Sequence, residues 1–241
     1  MTVQRNKIAY ITGSSRGIGK ALVIKLLDSG YKVVGIARTP FVETRNYSNV
    51  TLDLNDLNAV NSFEFEQSAD EVLLINNAGA IGEILPVGQI SNQSIQDVIT
   101  INTIAPQILM NKFIKTYSTN VKFGHILNIS SGAGKNPIDA WASYCASKAA
   151  IDLFSRTIKT EFQLRNIDNW YIHSIAPGVV DTKMQEEIRN ADPTAFKLID
   201  KFVGLKNNNE LSSPKMVAEK LFQVISAPTK FPETIISVRD F

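Results

Sequence analysis

The chain has 241 residues, 44% of them hydrophobic, which is enough for one large core and shows none of the bias of a disordered, collagenous or coiled-coil chain. Its 25 Lys and Arg against 23 Asp and Glu form no basic run, which excludes a nucleic-acid footprint and leaves room for an anionic small molecule. A single cysteine, Cys145, rules out an internal disulfide and a cysteine metal cluster, and His125 and His173 lack metal-ligand spacing.

Residues 1–7 lead straight into a strand-like run and carry no long apolar segment of the signal-peptide or membrane-spanning kind. A cytoplasmic protein without a membrane partner is expected. Lys7 to Thr12 reads as a strand, and Ala21 to Leu27 has helical apolar spacing. Lys32 to Ala37 is β-rich, Val50 to Asp53 is a short third strand, and Leu57 to Phe65 forms a brief helix. Glu71 to Asn76 is almost continuously apolar, as in a parallel strand covered on both faces. Ser91 to Thr116 is helical with a bend at Pro106, Gly124 to Ile129 is strand five, and Trp141 to Leu164 is a long helix. Trp170 to Ile175 is strand six, and Ile235 to Val238 adds a seventh.

This alternation predicts a single α/β domain over residues 1–241, a Rossmann-type, doubly wound and mostly parallel sheet of about seven strands with helices on both faces. The irregular stretch from Asp181 to about Pro214, with Pro193, Gly204 and Asn207 to Asn209, reads as an insertion over residues 182–214 that serves as a substrate lid.

Two stretches carry chemistry. Thr12-Gly-Ser-Ser-Arg-Gly-Ile-Gly19 follows the first strand and opens the first helix. Gly13 permits a tight turn, Gly17 lets the backbone approach a pyrophosphate, and Gly19 lets the helix lie close to the strand. The free N–H groups at the helix start then face the anion. An acidic residue ending strand two would hold a free ribose 2′-hydroxyl; the chain has Ala37-Arg38-Thr39 there. With Arg16 on the same side, Arg38 favours the 2′-phosphate of NADP(H) over NAD.

The second stretch is Ala142 to Ala150, which sets Tyr144 and Lys148 four residues apart, on one helix face. A free phenol has a pKa near ~10 and is ionised about once in a thousand at pH 7. A unit charge about 4 Å away in a partly shielded site is worth up to ~4 kcal/mol, so Lys148 is expected to make Tyr144 more acidic. An isolated pair at this spacing is also compatible with a buried aromatic and a surface charge.

With these motifs in place, the chain resembles the short-chain dehydrogenase/reductase family in its compact NADP-dependent form. The likeness rests on residues 12–19, Asp53, Asn76-Asn77-Ala78-Gly79, Asn102, Ser131, Tyr144 with Lys148, and Pro177-Gly-Val-Val-Asp-Thr182. It implies that Ser131, thirteen residues before Tyr144, holds the substrate carbonyl, with Ser130 the adjacent alternative. Tyr144 would donate the proton, Lys148 would lower its pKa and bind the nicotinamide ribose, and Asn102 would place a water that returns protons. Asp53 with Leu54 would approach the adenine, and Asn77, Ala78 and Gly79 would line the adenosine ribose. Ser15, Ile18 and Thr39 would complete the phosphate end, and Pro177, Gly178, Val180 and Thr182 would clasp the nicotinamide end. Asn76 and Asn77 also suit a sharp turn at a strand end.

The stretches around residues 73–79, 131–137, 141–145 and 177–185 look like the sepiapterin reductase branch, which includes microbial benzil reductases. That implies an NADPH-dependent reductase of activated ketones or vicinal diketones, with Trp141, Met184 and residues 185–205 forming an apolar wall. Ser237 stands where the sepiapterin enzymes place an acid that anchors the pterin, and Asp240 follows three residues later. Other readings are a sepiapterin reductase, a 3-oxoacyl carrier-protein reductase, and a non-enzymatic NADPH sensor. The resemblance further implies a homodimer or homotetramer through the helices of residues 102–116 and 141–164.

Overall fold

The computed structural model describes residues 6–39, 45–66, 68–118 and 121–241. Residues 1–5, which open the stretch read above as leading into the first strand, lie outside the described residues. Seven strands, β1 (Lys7–Thr12), β2 (Lys32–Ala37), β3 (Tyr47–Thr51), β4 (Glu71–Asn76), β5 (Phe123–Ile129), β6 (Trp170–Ala176) and β7 (Ile235–Ser237), form one sheet in the order β3-β2-β1-β4-β5-β6-β7. Every neighbouring pair is parallel, so the doubly wound sheet is the observed architecture.

Alternate residues of each strand point to opposite faces, and here both faces are apolar. Ile8, Tyr10, Val72 and Leu74 join one core with Leu109 and Phe113 of α4 (Ala105–Tyr117) and Ile151 and Ile158 of α5 (Ala142–Leu164). Ala9, Ile11, Leu73 and Ile75 join the other with Leu22 and Leu26 of α1 (Gly17–Asp28) and Leu221 and Val224 of α8 (Pro214–Ser226). Each such side chain stabilises the fold by roughly 1.5–3 kcal/mol when fully buried.

The strand order reverses between β1 and β4, and a crevice opens there beyond the carboxyl ends of the strands. Polar groups brace the sheet just below it. Asn76 Nδ2 donates to Asn128 Oδ1 at 2.8 Å, and Asn128 Nδ2 donates to Ser155 Oγ of α5 at 2.9 Å.

The bend expected at Pro106 takes a specific form. α3 (Asn92–Ile99) runs into a π-helical turn, Thr100–Ile104, and α4 restarts with Pro106 in its first turn. Pro106 has no N–H to offer the Asn102 carbonyl four residues back, and the helix widens at that point.

Two regions depart from the sequence expectation. The stretch 181–214 is not an irregular loop, because it holds α6 (Lys183–Arg189) and α7 (Ile199–Asn207). Its two ends are pinned together: Asp181 N–H donates to the Ser212 carbonyl at 3.0 Å, Ser212 N–H donates to the Val179 carbonyl at 3.0 Å, and Lys206 pairs with Asp181 at 2.6 Å. Helix α8 is an element that the sequence reading does not assign. Its start signal is Ser213, whose hydroxyl accepts the Met216 N–H at 3.2 Å, followed by Pro214 in the first helical turn. The third strand begins at Tyr47, ahead of the expected Val50, and the remaining strands fall within a residue or two of their expected limits. Helix α2 (Leu57–Ser62) is shorter than expected and is capped by Asp56.

Candidate active site

A continuous cleft of about 1750 Å³ follows the carboxyl ends of the strands from β2 to β6 and runs under α6 and α7. One end is built by the glycine loop. Gly13 and Gly17 adopt φ of +66° and +54°, which glycine accepts without strain. A Cβ on Gly13 would stand 2.9 Å from Ala78 Cα, so the loop and the end of β4 touch only because the residue is glycine. Gly19 does not face the cleft. It lies behind the loop, where a Cβ would come within 2.2 Å of the Gly13 carbonyl, and this is the close helix packing expected of it.

Helix α1 starts without a side-chain cap, which leaves its first N–H groups directed at the cleft. Ser15, Arg16 and Ile18 line this end, and Arg38, Thr39, Asp53 and Leu54 line the wall beyond it. Arg16 and Arg38 are both exposed. Asp53 accepts the Asn55 N–H at 3.0 Å, which fixes the turn after β3. Asn77 is mainly structural: its side chain donates to the carbonyls of Thr12 at 3.0 Å and Gly13 at 3.1 Å, while Ala78 and Gly79 present backbone to the cleft.

The opposite end holds the groups that the sequence singled out as catalytic. Ser131, Tyr144 and Lys148 line it together, and the Tyr144 hydroxyl shares a hydrogen bond with Ser131. Ser131 also caps the short turn Gly132–Gly134, accepting the Ala133 N–H at 3.2 Å. Among the described residues the neighbouring Ser130 hydroxyl is buried without a partner, so of the two candidates Ser131 is the one that meets the phenol. Lys148 Nζ donates to the Ile129 carbonyl at 2.8 Å and lies 5.5 Å from the Tyr144 ring centre. Pro177, Gly178, Val180 and Thr182, after β6, close this end, and Thr182 Cγ2 approaches the position of a Gly17 Cβ to 3.4 Å.

Burial opposes the electrostatic effect expected of the pair. Burial pushes the Tyr144 phenol up to about 12, the Ser131 hydrogen bond opposes that shift, and the Cys145 thiol adds to it. Burial brings Lys148 down to about 8, opposed by the Asp152 carboxylate. Burial removes hydration from the charged form of each group, and for both it is the largest cause of the shift. The phenol is therefore neutral at pH 7, the form that can donate a proton.

Asn102 lies behind the wall. Its Oδ1 accepts the Ala80 N–H at 2.8 Å, and its Nδ2 donates to the Ala80 carbonyl at 2.8 Å and to Ser147 Oγ at 3.0 Å. The side chain expected to place a water is thus engaged in clamping the chain after Gly79. A Cβ on Gly79 would sit 3.4 Å from Asn102 Oδ1 and 3.7 Å from Lys148 Nζ.

The region from Lys7 to Pro193 matches the short chain dehydrogenase family. The chain belongs to that family. Among the relatives of this short-chain dehydrogenase are two enzymes named benzil reductase ((S)-benzoin forming). The Bacillus cereus protein is 33% identical, the alignment covering 94% of this chain and 96% of that protein. The Bacillus subtilis protein is 32% identical, covering 93% and 95%. A solved structure of 4-hydroxyisoleucine dehydrogenase complexed with NADH superposes with a TM-score of 0.79 at 27% identity, covering 96% of each chain. The family is one of oxidoreductases, and within it this member groups with the benzil reductases.

Above the reactive groups, the short-chain dehydrogenase builds an aromatic wall. Trp141 meets Tyr144 edge-on at 5.6 Å, stacks on Phe196 at 5.7 Å and lies 5.4 Å from Phe202 of α7. Met184 and Ile188 of α6 pack against the same cluster. Trp141 and Met184 were legible as wall residues; Phe196 and Phe202 were not singled out, since only folding brings them beside Trp141. Buried in this wall, Trp141 Nε1, Gln185 Oε1 and Arg189 Nη1 have no hydrogen-bond partner among the described residues. At the carboxyl-terminal rim Ser237 and Arg239 line the cleft, whereas Asp240 turns back to accept the Ser237 N–H at 2.9 Å. Among the described residues no helix is long and apolar enough to cross a membrane, and no His, Cys, Asp and Glu cluster could hold a metal ion.

Proposed function

We propose that this protein is a cytoplasmic, NADPH-dependent carbonyl reductase for activated ketones or vicinal diketones of the benzil type. The observation that carries the reading is the meeting of Ser131, Tyr144 and Lys148 at one end of a cleft whose other end holds the glycine loop and two arginines. The cradle suits a dinucleotide, because Gly13 lets the loop touch the end of β4, Gly17 turns the backbone through a positive φ, and the uncapped start of α1 offers its N–H groups to an anion.

Within this reading Arg38 and Arg16 hold a 2′-phosphate, for no acidic side chain ends β2. Asp53 and Leu54 flank the adenine, the backbone of Ala78 and Gly79 flanks the ribose, and Pro177 to Thr182 hold the nicotinamide end. When bound, the dinucleotide supplies a hydride. Ser131 donates a hydrogen bond to the substrate carbonyl oxygen and orients it toward Tyr144. Tyr144 gives its proton to that oxygen as negative charge develops there, which stabilises the transition state more than the ground state. Lys148 holds a ribose hydroxyl and places a positive charge behind the phenol. Asn102 acts from behind the wall by fixing the segment from Gly79 to Ala80.

Tyr144 is neutral at pH 7 and so carries the proton that reduction needs, although burial makes it a weaker acid than a free phenol. The wall of Trp141 and Phe202, backed by the fully buried Phe196, suits an aromatic ketone, and Ser237 with Arg239 at the rim gives no acid to anchor a pterin. One domain with residues 182–214 as its lid, assembled as a homodimer or homotetramer, completes the proposal.

The test is NADPH oxidation followed by absorbance with benzil, sepiapterin and an acetoacetyl thioester in parallel. Benzil turning over with the highest kcat/KM is the expected result. Preference for the thioester would make the protein a carrier-protein reductase, and tight NADPH binding with no turnover of any carbonyl would make it a sensor.

A further inference from the structure

Tyr144, Lys148 and Asp152 stand at intervals of four residues and so form one row along α5. The first two belong to the site already described; the third is a carboxylate only 8% exposed. A charge that deep is retained only where its surroundings favour the ion. Asp152 Oδ1 accepts the Ser174 hydroxyl of β6 at 2.6 Å, and Ser174 is 0% exposed. The other oxygen lies beneath the turn Gly132–Gly134, where a Cβ on Gly134 would stand 2.8 Å from Asp152 Oδ2 and 3.0 Å from the Lys148 carbonyl carbon. One carboxylate thus touches β6 and the turn that Ser131 begins. Among the described residues no cation makes an ion pair with it.

We propose that Asp152 is a positioning residue: its fixed negative charge keeps the Lys148 side chain an ammonium behind Tyr144, while its two oxygens seat β6 and the Ser131 turn against α5. The proposal rests on the assignment of Tyr144 and Lys148 to the reaction.

The surroundings of Lys148 leave few competitors for that role. The titratable groups facing it are Tyr144 and Asp152, both on α5, with the Cys145 thiol beyond Tyr144. From β5 comes the Ile129 carbonyl, and Lys148 Nζ lies 3.7 Å from where a Gly79 Cβ would stand, a point that Asn102 Oδ1 of the π-helical turn and the Met184 methyl of α6 approach to 3.4 and 4.0 Å; none of these titrates. The turn Gly132–Gly134 adds only backbone, and β6 adds the Ser174 hydroxyl. Asp152 is the negative charge set against burial, and burial alone drives a lysine toward its neutral form.

The test compares the wild type with Asp152→Asn, which retains an acceptor for Ser174 and loses the charge, and with Ser174→Ala, which retains the charge and loses the bond. The first readout is the pH titration of the Lys148 Cε carbon by NMR in the cofactor-free protein, assigned by its loss in Lys148→Met. The wild-type midpoint is expected near pH 8. Asp152→Asn lowers it by about half a unit or more, and Ser174→Ala leaves it in place. The alkaline limb of kcat/KM for benzil reduction moves with the midpoint. An unmoved midpoint in Asp152→Asn, or an equal shift in Ser174→Ala, overturns the proposal. Should Asp152→Asn not fold, the wild type carries the test through its Asp152 Cγ carbon. That carbon must show a small step where Lys148 loses its proton; its absence overturns the proposal. The titration needs no turnover. A failure of ketone reduction therefore removes the proposed function and leaves this coupling to stand or fall by its own result.

Discussion

Thr12 and Asn77 lock the two strands between which the sheet reverses its order. The Thr12 hydroxyl oxygen accepts the N–H of Asn77 at 3.0 Å and of Ala78 at 3.1 Å, and the Asn77 amide donates to the Thr12 carbonyl at 3.0 Å. The crevice at a switch point is open by construction, so its rim must be held by side chains instead of a further strand. Thr12→Val retains the shape and removes the acceptor, leaving the Ala78 N–H unpaired and the Asn77 N–H with only its 3.1 Å bond to the Ile75 carbonyl. Urea unfolding should show a loss of about 2 kcal/mol or more, together with weaker dinucleotide binding by fluorescence titration.

Glycines that look alike in the sequence should respond differently. At Gly19 a Cβ would meet the Gly13 carbonyl at 2.2 Å, and Gly19→Ala should abolish dinucleotide binding or folding. At Gly204 in α7 nothing lies within 4 Å, and Gly204→Ala should leave binding unchanged and raise stability by up to about 1 kcal/mol through helix propensity. Calorimetric binding and thermal melts of both variants check the contrast.

Tyr144→Phe removes the proposed proton donor and leaves the cleft filled. Reduction of benzil should fall at least a hundredfold while the NADPH dissociation constant stays within about threefold, because general acid catalysis contributes roughly 10²–10⁴-fold. Near-wild-type turnover would refute the assignment. In the wild type, kcat/KM for reduction should be level near neutrality and fall as pH rises through about 8, where the Lys148 ammonium is lost. The phenol, neutral to about 12, does not contribute to that limb.

The same lysine should cost stability. Its folded pKa, about 8, lies below its ordinary value of 10.5, so the unfolded chain binds the additional proton between those limits. The penalty is full below about pH 8 and fades as pH rises toward 10.5, so this group makes stability rise with pH across that window. Lys148→Met should therefore unfold later than the wild type at pH 7, by at most about 3 kcal/mol, while losing reductase activity. Urea titrations at pH 7 and pH 10 measure the effect, and the gap between the two proteins should narrow at the higher pH.

Arg38→Asp tests the cofactor preference. An acid at the end of β2 repels a 2′-phosphate and accepts hydrogen bonds from a free ribose, so the ratio of kcat/KM for NADPH over NADH should drop at least tenfold. An unchanged ratio would place the phosphate elsewhere, away from Arg38.

The elements that the sequence disclosed are those whose cause is local. Continuous apolar runs such as Glu71 to Asn76 can be satisfied only in a strand covered on both faces, and the glycine loop needs backbone angles that its own residues allow. The spacing of Tyr144 and Lys148 places both on one face of whatever helix they form. Tertiary structure decided the rest. The start of α8 was written in Ser213 and Pro214, but its apolar face has meaning only against α1 and the sheet. Phe196 and Phe202 became a wall because α6 and α7 fold back over Trp141. The ionisation of Tyr144 and Lys148 turned on burial, which depends on every element around them and on no spacing in the chain. Proximity along a helix is a property of sequence, whereas the water removed from a side chain is a property of the whole fold.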